Sequence, residues 1–229
     1  MGKLSVVATP IGNLEDITLR ALRTLKECDV IYAEDTRVIS KLLARYEIKK
    51  PLQRLDAATE IKKANEIIAR LEAGEHVALV SDAGTPGISD PGARLVKAVR
   101  EHPYILKDVG VLIEAIPGPS ALTAALSVAG MNTDSFTFLG FLPHKKGRQT
   151  LLKKITANEF PTVLYESPHR ILKLLKELAA LMPVRRLCVC RELTKVHEEV
   201  IAGTPTELLT HFTSHPSTIR GEFVIIVTK

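Results

Sequence analysis

The chain has 229 residues, of which 45% are apolar, 25% are charged and 4% are aromatic, and it contains no Trp. This length suits one large domain or two small ones, and the ordinary composition excludes disordered, collagen-like and low-complexity proteins. Residues 1–118 carry 17 basic and 17 acidic side chains, whereas residues 119–229 carry 14 basic and 9 acidic ones, so the net charge of +5 lies in the second half.

Short apolar runs rich in Val and Ile alternate with helical patterns in the first half of the chain. They predict strands near 4–8, 29–34, 51–55, 76–81 and 111–116, and helices near 18–27, 37–46, 60–73 and 91–101. This alternation is typical of a largely parallel sheet with helical crossovers. The segment 102–110 fits neither period, so we interpret it as a surface insertion.

The pattern starts again after Pro117-Gly118-Pro119, which predicts a domain boundary near residue 117 and domains of residues 1–117 and 118–229. In the second half it predicts helices near 119–129, 147–157, 169–181 and 205–212, and strands near 135–141, 162–166, 186–193, 197–202 and 221–228. Ser167-Pro168 and Thr204-Pro205 each combine a capping side chain with Pro at the first helical position, which marks a helix start.

Several classes of protein and site are disfavoured by the pattern. The longest uncharged run, residues 115–133, is interrupted by prolines and hydroxyl residues, which argues against a membrane span. The N-terminus opens directly into a strand-like run, so we expect a cytoplasmic protein. Cys188 and Cys190 lie two apart in a strand and fit a disulfide poorly, so we expect reduced thiols in the core. The spacing of Cys and His favours no metal site.

Three loops of small residues each follow a predicted strand. The longest, residues 81–92, leaves the carboxyl end of a hydrophobic strand, and residues 9–14 and 117–121 follow two others. Ligands of open α/β sheets bind at that end, and in a parallel sheet these loops would line one cleft. Neither phosphate-binding glycine motif occurs in the sequence, so the alternatives are another kind of pocket or structural turns.

Polar segments in the second half also follow strands. Residues 165–170 and 191–198 mix acids and cations, which indicates either chemistry or helix caps and surface ion pairs. Lys145, Lys146 and Arg148 begin a strongly basic stretch, and this favours a polyanionic partner over a merely solvated surface. Residues 34–37, which include Arg37, form a further polar cluster at the end of the second strand.

Taken together, segments 8–16, 33–37, 81–92, 117–121, 165–170 and 191–199 resemble the ribosomal RNA small subunit methyltransferase I family of tetrapyrrole-methylase-like enzymes. The resemblance covers nearly the whole chain. It implies an α/β fold of two α/β domains, a mostly parallel N-terminal sheet and a mixed C-terminal sheet. It also implies S-adenosylmethionine (SAM) in the cleft between them, a homodimer, and methylation of a cytidine ribose 2′-oxygen in the decoding region of 16S ribosomal RNA.

By the same resemblance, the cofactor-binding residues are Pro10, Asp82, Gly84, Thr85, Ile88, Ser120, Ala121 and Leu142. The chain departs from the family pattern at residues 55–60, where a polar segment with His and Asn is expected, and in the insertion at 102–110. It also ends directly after its last predicted strand, so we expect no C-terminal RNA-binding extension.

Methyl transfer to a ribose hydroxyl needs an acceptor for its proton. Our hypothesis is that Glu166 or Glu192 accepts it, directly or through water, while Arg170 and Lys195 hold phosphates. Lys195 is an alternative base if burial lowers its pKa.

Lys145, Lys146, Arg148 and Arg37 are the predicted contacts to RNA backbone in 16S ribosomal RNA or the small ribosomal subunit. The scarcity of aromatic residues disfavours a module that reads single strands by stacking. Two alternatives remain, a precorrin-type tetrapyrrole methyltransferase of the same fold and a non-catalytic RNA-binding or ribosome assembly factor.

Overall fold

A computed structural model describes residues 1–103 and 111–228. The chain divides into two compact units, unit 1 (Met1–Ser120) and unit 2 (Ala121–Lys229), close to the predicted boundary at residue 117. The predicted insertion at 102–110 lies, from residue 104 onward, outside the described residues.

Unit 1 is an α/β layer structure, as predicted. Its described strands are β1 (Gly2–Val7), β2 (Val30–Ala33), β3 (Leu52–Arg54), β4 (His76–Val80) and β5 (Val111–Ile116), and its helices are α1 (Leu19–Glu27), α2 (Thr36–Arg45), α3 (Glu60–Glu72) and α4 (Ala93–Glu101). The described strands pair in the order β3-β2-β4-β1-β5. Every pair is parallel, which confirms the predicted parallel sheet.

The two faces of this sheet carry separate apolar cores. Helices α1 and α2 pack on one face together with Ala78 and Val80, whereas α3 and α4 pack on the other with Val77 and Leu79. The helix after β1 and the helix after β4 therefore leave in opposite directions from neighbouring strands. Such a point opens a crevice at the carboxyl ends of the strands, which is where open α/β sheets bind ligands.

Unit 2 has a mixed sheet, as the family resemblance implies. Its described elements are α5 (Ala121–Val128), β6 (Thr137–Phe141), α6 (Arg148–Ala157), β7 (Thr162–Glu166), α7 (Ile171–Leu181), β8 (Leu187–Arg191), β9 (Glu199–Gly203), α8 (Pro205–Ser214) and β10 (Phe223–Val227). The order is β6-β7-β10-β8-β9 over the described residues. Only the β6–β7 pair is parallel among them, and the others are antiparallel.

All three cysteines are buried and free, which confirms the predicted reduced thiols. Cys188 and Cys190 lie on one face of β8 with their sulfur atoms 3.9 Å apart. Within residues 1–103 and 111–228, no group of three His, Cys, Asp or Glu side chains could hold a metal ion. Nor does any helix in those ranges have both the length and the apolar character that crossing a membrane requires.

Candidate functional site

The three predicted loops of unit 1 meet at the carboxyl edge of its sheet. Thr9 and Gly84 exchange two main-chain hydrogen bonds, Thr9 N to Gly84 O at 2.9 Å and Gly84 N to Thr9 O at 3.0 Å. The Thr85 hydroxyl donates to the carbonyl oxygen of Pro119 at 3.4 Å. The loops after β1, β4 and β5 are therefore fastened to one another, and the predicted convergence is confirmed.

Small residues are required where these loops touch. Gly84 has φ +80°, and a Cβ atom there would lie 3.4 Å from Ile11 Cγ2. A Cβ atom on Gly118 would lie 3.0 Å from the Ala8 Cβ. Glycine is therefore favoured at position 84 by its left-handed backbone and at position 118 by the close approach of Ala8.

This edge carries an excess of carboxylates. The Asp82 carboxylate accepts a hydrogen bond from the Asp35 amide at 2.9 Å. Partial burial, followed by the negative charges of Asp82 and Asp56, raises the pKa of Glu34. Hydrogen bonds from Arg37 lower the pKa of Asp35 to about 2. The electrostatic character of this site therefore suits a ligand with positive charge.

The predicted cofactor residues fall into two groups. Pro10, Asp82, Gly84, Thr85 and Ile88 lie in the joined loops of unit 1, and Ile88 is 42% exposed. Ser120 is the last residue of unit 1, and Ala121 begins α5 in unit 2.

The part of Leu142 that could contact a cofactor is limited by its burial, and the contact itself stays a prediction. That side chain is 1% exposed and belongs to the apolar core of unit 2. Its carbonyl oxygen accepts a hydrogen bond from Arg170 at 2.9 Å. Any contact of Leu142 with a ligand would therefore come from its main chain.

Glu166, at the end of β7, is completely buried. Its Oε1 atom forms an ion pair with Arg170 Nε at 2.7 Å and accepts a hydrogen bond from the Ser167 amide at 2.8 Å. Its Oε2 atom lies 3.8 Å from an Arg148 nitrogen and has no hydrogen-bond partner among the described residues. This burial argues against direct proton acceptance by Glu166, whereas acceptance through water stays a prediction.

Arg148 is also a structural residue, and the prediction that it contacts RNA is corrected. It is 2% exposed, and its Nε and Nη2 atoms donate to Glu177 Oε2 at 2.9 and 2.7 Å. A buried guanidinium with these partners is not available to a phosphate. The sequence does contain a signal, because Arg148, Leu152 and Ile155 fall on one helical stripe that faces the core.

Glu192 and Lys195 form an ion pair directly after β8. Lys195 Nζ donates to Glu192 Oε1 at 2.7 Å and to Glu222 Oε2 at 3.1 Å. Glu192 and Thr194 have φ values of +51° and +67°, and these left-handed conformations end the strand at Arg191, two residues before its predicted end. Non-glycine residues held in this region cluster at functional sites.

This ion pair favours the charged forms of both Glu192 and Lys195. Partial burial opposes ionisation, but the hydrogen bonds from Lys195 and from the Glu222 amide lower the pKa of Glu192. Burial likewise opposes the charge of Lys195, but its bonds to Glu192 and Glu222 raise its pKa. The alternative of Lys195 as a neutral base is therefore wrong. Glu192 remains as an ionised and partly exposed carboxylate.

The atypical segment 55–60 contains a local turn before α3 and a buried carboxylate at the start of α4. Asp56 Oδ1 accepts from the Thr59 amide at 2.9 Å, just before α3. Glu60 is 3% exposed, and its Oε1 atom accepts from the amides of Gly92 and Leu95 at 2.9 Å each. Sequence reasoning missed Glu60, although it shares the buried stripe of α3 with Ala64, Ile67, Ile68 and Leu71. Its carboxylate supports the end of the 81–92 loop.

The remaining predicted RNA contacts lie on the surface. Lys145 and Lys146 are exposed in the loop between β6 and α6. The Arg37 side chain is 87% exposed, and its Nε atom donates to Asp35 Oδ1 at 2.9 Å. Their contact with RNA stays a prediction.

Comparisons with known proteins agree with this architecture. Residues 3–209 match the family model of tetrapyrrole (corrin/porphyrin) methylases. The ribosomal RNA small subunit methyltransferase I of Thermotoga maritima is 43% identical over 228 residues, which cover 100% of this chain and 99% of that protein.

Two solved structures share the fold at lower identity. The methyltransferase CobJ superposes with a TM-score of 0.72 at 21% identity, covering 100% of this chain and 95% of CobJ. Uroporphyrin-III C-methyl transferase from Thermus thermophilus, solved with S-adenyl homocysteine, has a TM-score of 0.62 at 20% identity. The match covers 100% of this chain and 98% of that protein. Because the sequence match to the bacterial methyltransferase spans the whole chain, the protein belongs to the ribosomal RNA small subunit methyltransferase I family of tetrapyrrole methylases.

Proposed function

We propose that this protein is a SAM-dependent methyltransferase whose substrate is 16S ribosomal RNA, and that it methylates the 2′-oxygen of a cytidine ribose in the decoding region. The observation that supports this most strongly is the 43% identity to a ribosomal RNA small subunit methyltransferase I over the full length of both chains. The concentration of positive charge in the second half of the chain also favours a polyanionic substrate.

The joined loops of unit 1 fit the cofactor by their chemistry. The carboxylates of Glu34 and Asp82 at this edge suit the positive charge of the cofactor. A protein of the same fold binds S-adenyl homocysteine, which supports a related ligand here. When bound, SAM supplies a methyl group activated by a sulfonium. The residues that would hold it in unit 1 are Pro10, Asp82, Gly84, Thr85, Ile88 and Ser120.

In this mechanism the protein places the acceptor oxygen and removes its proton. Orientation of two reacting groups contributes about 7–11 kcal/mol to the lowering of a barrier. Glu192 Oε1 or Oε2 accepts the ribose proton, directly or through one water. A base in this role raises the reaction rate by about 10²- to 10⁴-fold. Lys195 holds that carboxylate in place at 2.7 Å and keeps its positive charge beside it.

Arg170 supplies a second fixed positive charge. Its Nε atom is held by the buried Glu166 at 2.7 Å and one terminal nitrogen by the Leu142 carbonyl at 2.9 Å. A guanidinium fixed in this way contributes to phosphate binding with little loss of side-chain freedom. We propose that Glu166 acts only through Arg170.

A labelling experiment tests the proposed substrate. The protein is incubated with methyl-labelled SAM and either unmethylated small ribosomal subunits or a precorrin, and label in the ribose of 16S RNA is the expected result. Label in the precorrin alone would favour the tetrapyrrole methyltransferase. Absence of SAM binding by calorimetry would favour a non-catalytic assembly factor.

Two matched variants test the proton acceptor. Glu192→Gln is expected to lower kcat by about 10²- to 10⁴-fold, because the amide cannot take a proton. Glu222→Gln removes another carboxylate that contacts Lys195, but Glu222 has a side chain 71% exposed and is expected to retain most activity. Equal losses in the two variants would argue against a role for Glu192 as the base.

The subunit composition is a separate part of the proposal. We infer a homodimer, in line with the family resemblance, and light scattering on the purified protein measures its mass directly.

A further inference from the structure

The last residue of β6, Phe141, presents an aromatic ring to solvent on the edge strand of unit 2. Its side chain is 52% exposed. The Tyr165 ring meets it at an angle of 65° with 5.6 Å between centroids, and the Arg170 guanidinium carbon lies over the Phe141 ring at 6.0 Å. The ring is therefore supported by two side chains in a residue that is still about half exposed.

An irregularity of β6 produces this arrangement. Phe138 pairs with Val163 and Phe141 pairs with Tyr165, although the two phenylalanines are three residues apart. A register shift between Phe138 and Gly140, where Gly140 has φ +61°, inserts the extra residue. In a regular strand Phe138 and Phe141 would point to opposite faces, but here both pack against Tyr165. Bulges of this kind re-aim a side chain, often near functional sites.

The group that supports the ring is itself fixed. Arg170 is bonded to the buried Glu166 at 2.7 Å and to the Leu142 carbonyl at 2.9 Å. Because Leu142 directly follows Phe141, the second bond also fixes the chain at the base of the ring. A half-exposed apolar ring on such a rigid support is a preformed surface for another flat ring.

The charges around Phe141 identify the kind of ligand. Lys145 and Lys146 are exposed four and five residues further along the same loop, and Arg170 lies over the ring. An exposed aromatic ring with a guanidinium over it, followed within five residues by two exposed lysines, fits a ligand that carries both phosphates and flat bases. Stacking on such a ring is tolerant of base identity. Low aromatic content argues against stacking along a strand of several bases, but one ring suffices for one base.

We propose that Phe141 stacks with one unpaired base of the RNA substrate while the neighbouring lysines hold the backbone. This inference rests on the proposed function, because it assumes an RNA substrate. It adds a base contact to a surface for which the sequence predicts only backbone contacts.

Three variants test the proposal with unmethylated small ribosomal subunits as the probe. Phe141→Leu removes the aromatic ring, and its affinity for the subunits is expected to fall by about 5- to 150-fold. Phe141→Trp keeps a stacking surface and is expected to retain affinity. Phe160→Leu is the matched control, because Phe160 is similarly exposed at 50%. It precedes β7 and therefore lies at the amino end of the parallel β6–β7 pair, whereas Phe141 lies at the carboxyl end.

Further measurements separate stacking from its rivals. The slope of log affinity against log salt should not change in Phe141→Leu, because no charge is removed. The proposal is overturned if Phe141→Leu binds the subunits like the wild type. It is also overturned if Phe141→Leu loses SAM affinity by the same factor, which would assign the ring to the cofactor's adenine, or if it converts a wild-type dimer to a monomer.

The wild-type protein, measured in parallel, separates this proposal from the function. If the wild type methylates the subunits and Phe141→Leu binds them equally well, the stacking proposal alone fails. If the wild type neither binds nor methylates them, the proposed function fails and the stacking proposal falls with it. Thermal unfolding of each variant shows whether a loss of affinity reflects loss of the fold, and recovery in Phe141→Trp excludes that explanation.

Discussion

Replacing Arg148 by Met should destabilise the protein without removing an RNA contact. Arg148 is 2% exposed, and its Nε atom donates to Glu177 Oε1 at 3.2 Å and to Glu177 Oε2 at 2.9 Å. Its Nη1 atom lies 3.8 Å from Oε2 of the buried Glu166. Removing one partner of a buried ion pair costs about 3–5 kcal/mol, since the remaining charge stays buried without compensation. For a chain of this size the melting temperature should therefore fall by about 6–20 °C.

Urea unfolding followed by circular dichroism measures this loss. Lys146→Met is the matched control, because it makes a related change two residues earlier at an exposed position, and its stability should stay within about 0.5 kcal/mol of the wild type. At a temperature where both variants are folded, only Lys146→Met should bind ribosomal subunits less tightly. An Arg148→Met protein of wild-type stability with reduced RNA affinity would refute the structural role.

Three further predictions concern the basic loop, a buried carboxylate and a half-buried imidazole. The double variant Lys145→Ala, Lys146→Ala should lower the slope of log affinity against log salt by about 0.7–0.9 for each phosphate that is no longer neutralised, and a filter-binding salt titration with an unchanged slope would contradict this. Glu60→Gln replaces the carboxylate that accepts two amide hydrogen bonds at the start of α4 and should cost about 1–3 kcal/mol in urea unfolding, whereas an unchanged midpoint would exclude the cap. Burial and then the charge of Lys3 lower the pKa of His76, so the folded state binds that proton less readily than the unfolded state. Stability should therefore fall as the pH drops below about 6.5, and His76→Gln should reduce that dependence in unfolding curves from about pH 8 to about pH 5.

Element types and loop positions could be predicted from the sequence because the local patterns agree with the tertiary structure. Alternating apolar runs give the strands, and capping residues with Pro mark starts such as Thr204-Pro205, where the structure shows a capping box. The loops rich in small residues could be predicted to meet, and the structure explains two of these residues, because Gly84 has φ +80° and a Cβ atom on Gly118 would lie 3.0 Å from the Ala8 Cβ.

The errors concern charged residues whose partners are distant in sequence. Arg148 and Glu60 look like surface groups by residue type, and only their place on apolar helical stripes signals burial. Glu166 resembles a catalytic base in the sequence, because the residue type does not show whether a substrate can reach the carboxylate. In the structure Arg148 and Arg170 lie against that carboxylate. In each case a long-range ion pair or hydrogen bond decides the role.

Backbone irregularities also lie beyond the sequence patterns. The positive φ at Glu192 ends β8 two residues before its predicted end. Residue type alone does not reveal this conformation, because it depends on the hydrogen bonds that Lys195 and the Glu222 amide donate to the Glu192 carboxylate. The register shift before Gly140 exposes Phe141 on the face of Tyr165, whereas simple alternation would place it on the other face.

The most direct test of the central claim is a map of ribose methylation in 16S ribosomal RNA from cells that contain or lack this protein. We expect a single 2′-O-methylated cytidine in the decoding region to be present in the first RNA, absent from the second, and restored when purified protein and SAM are added to the unmethylated subunits. Identical methylation maps in the two RNAs, with no methyl group transferred to the subunits in vitro, would contradict the proposed function.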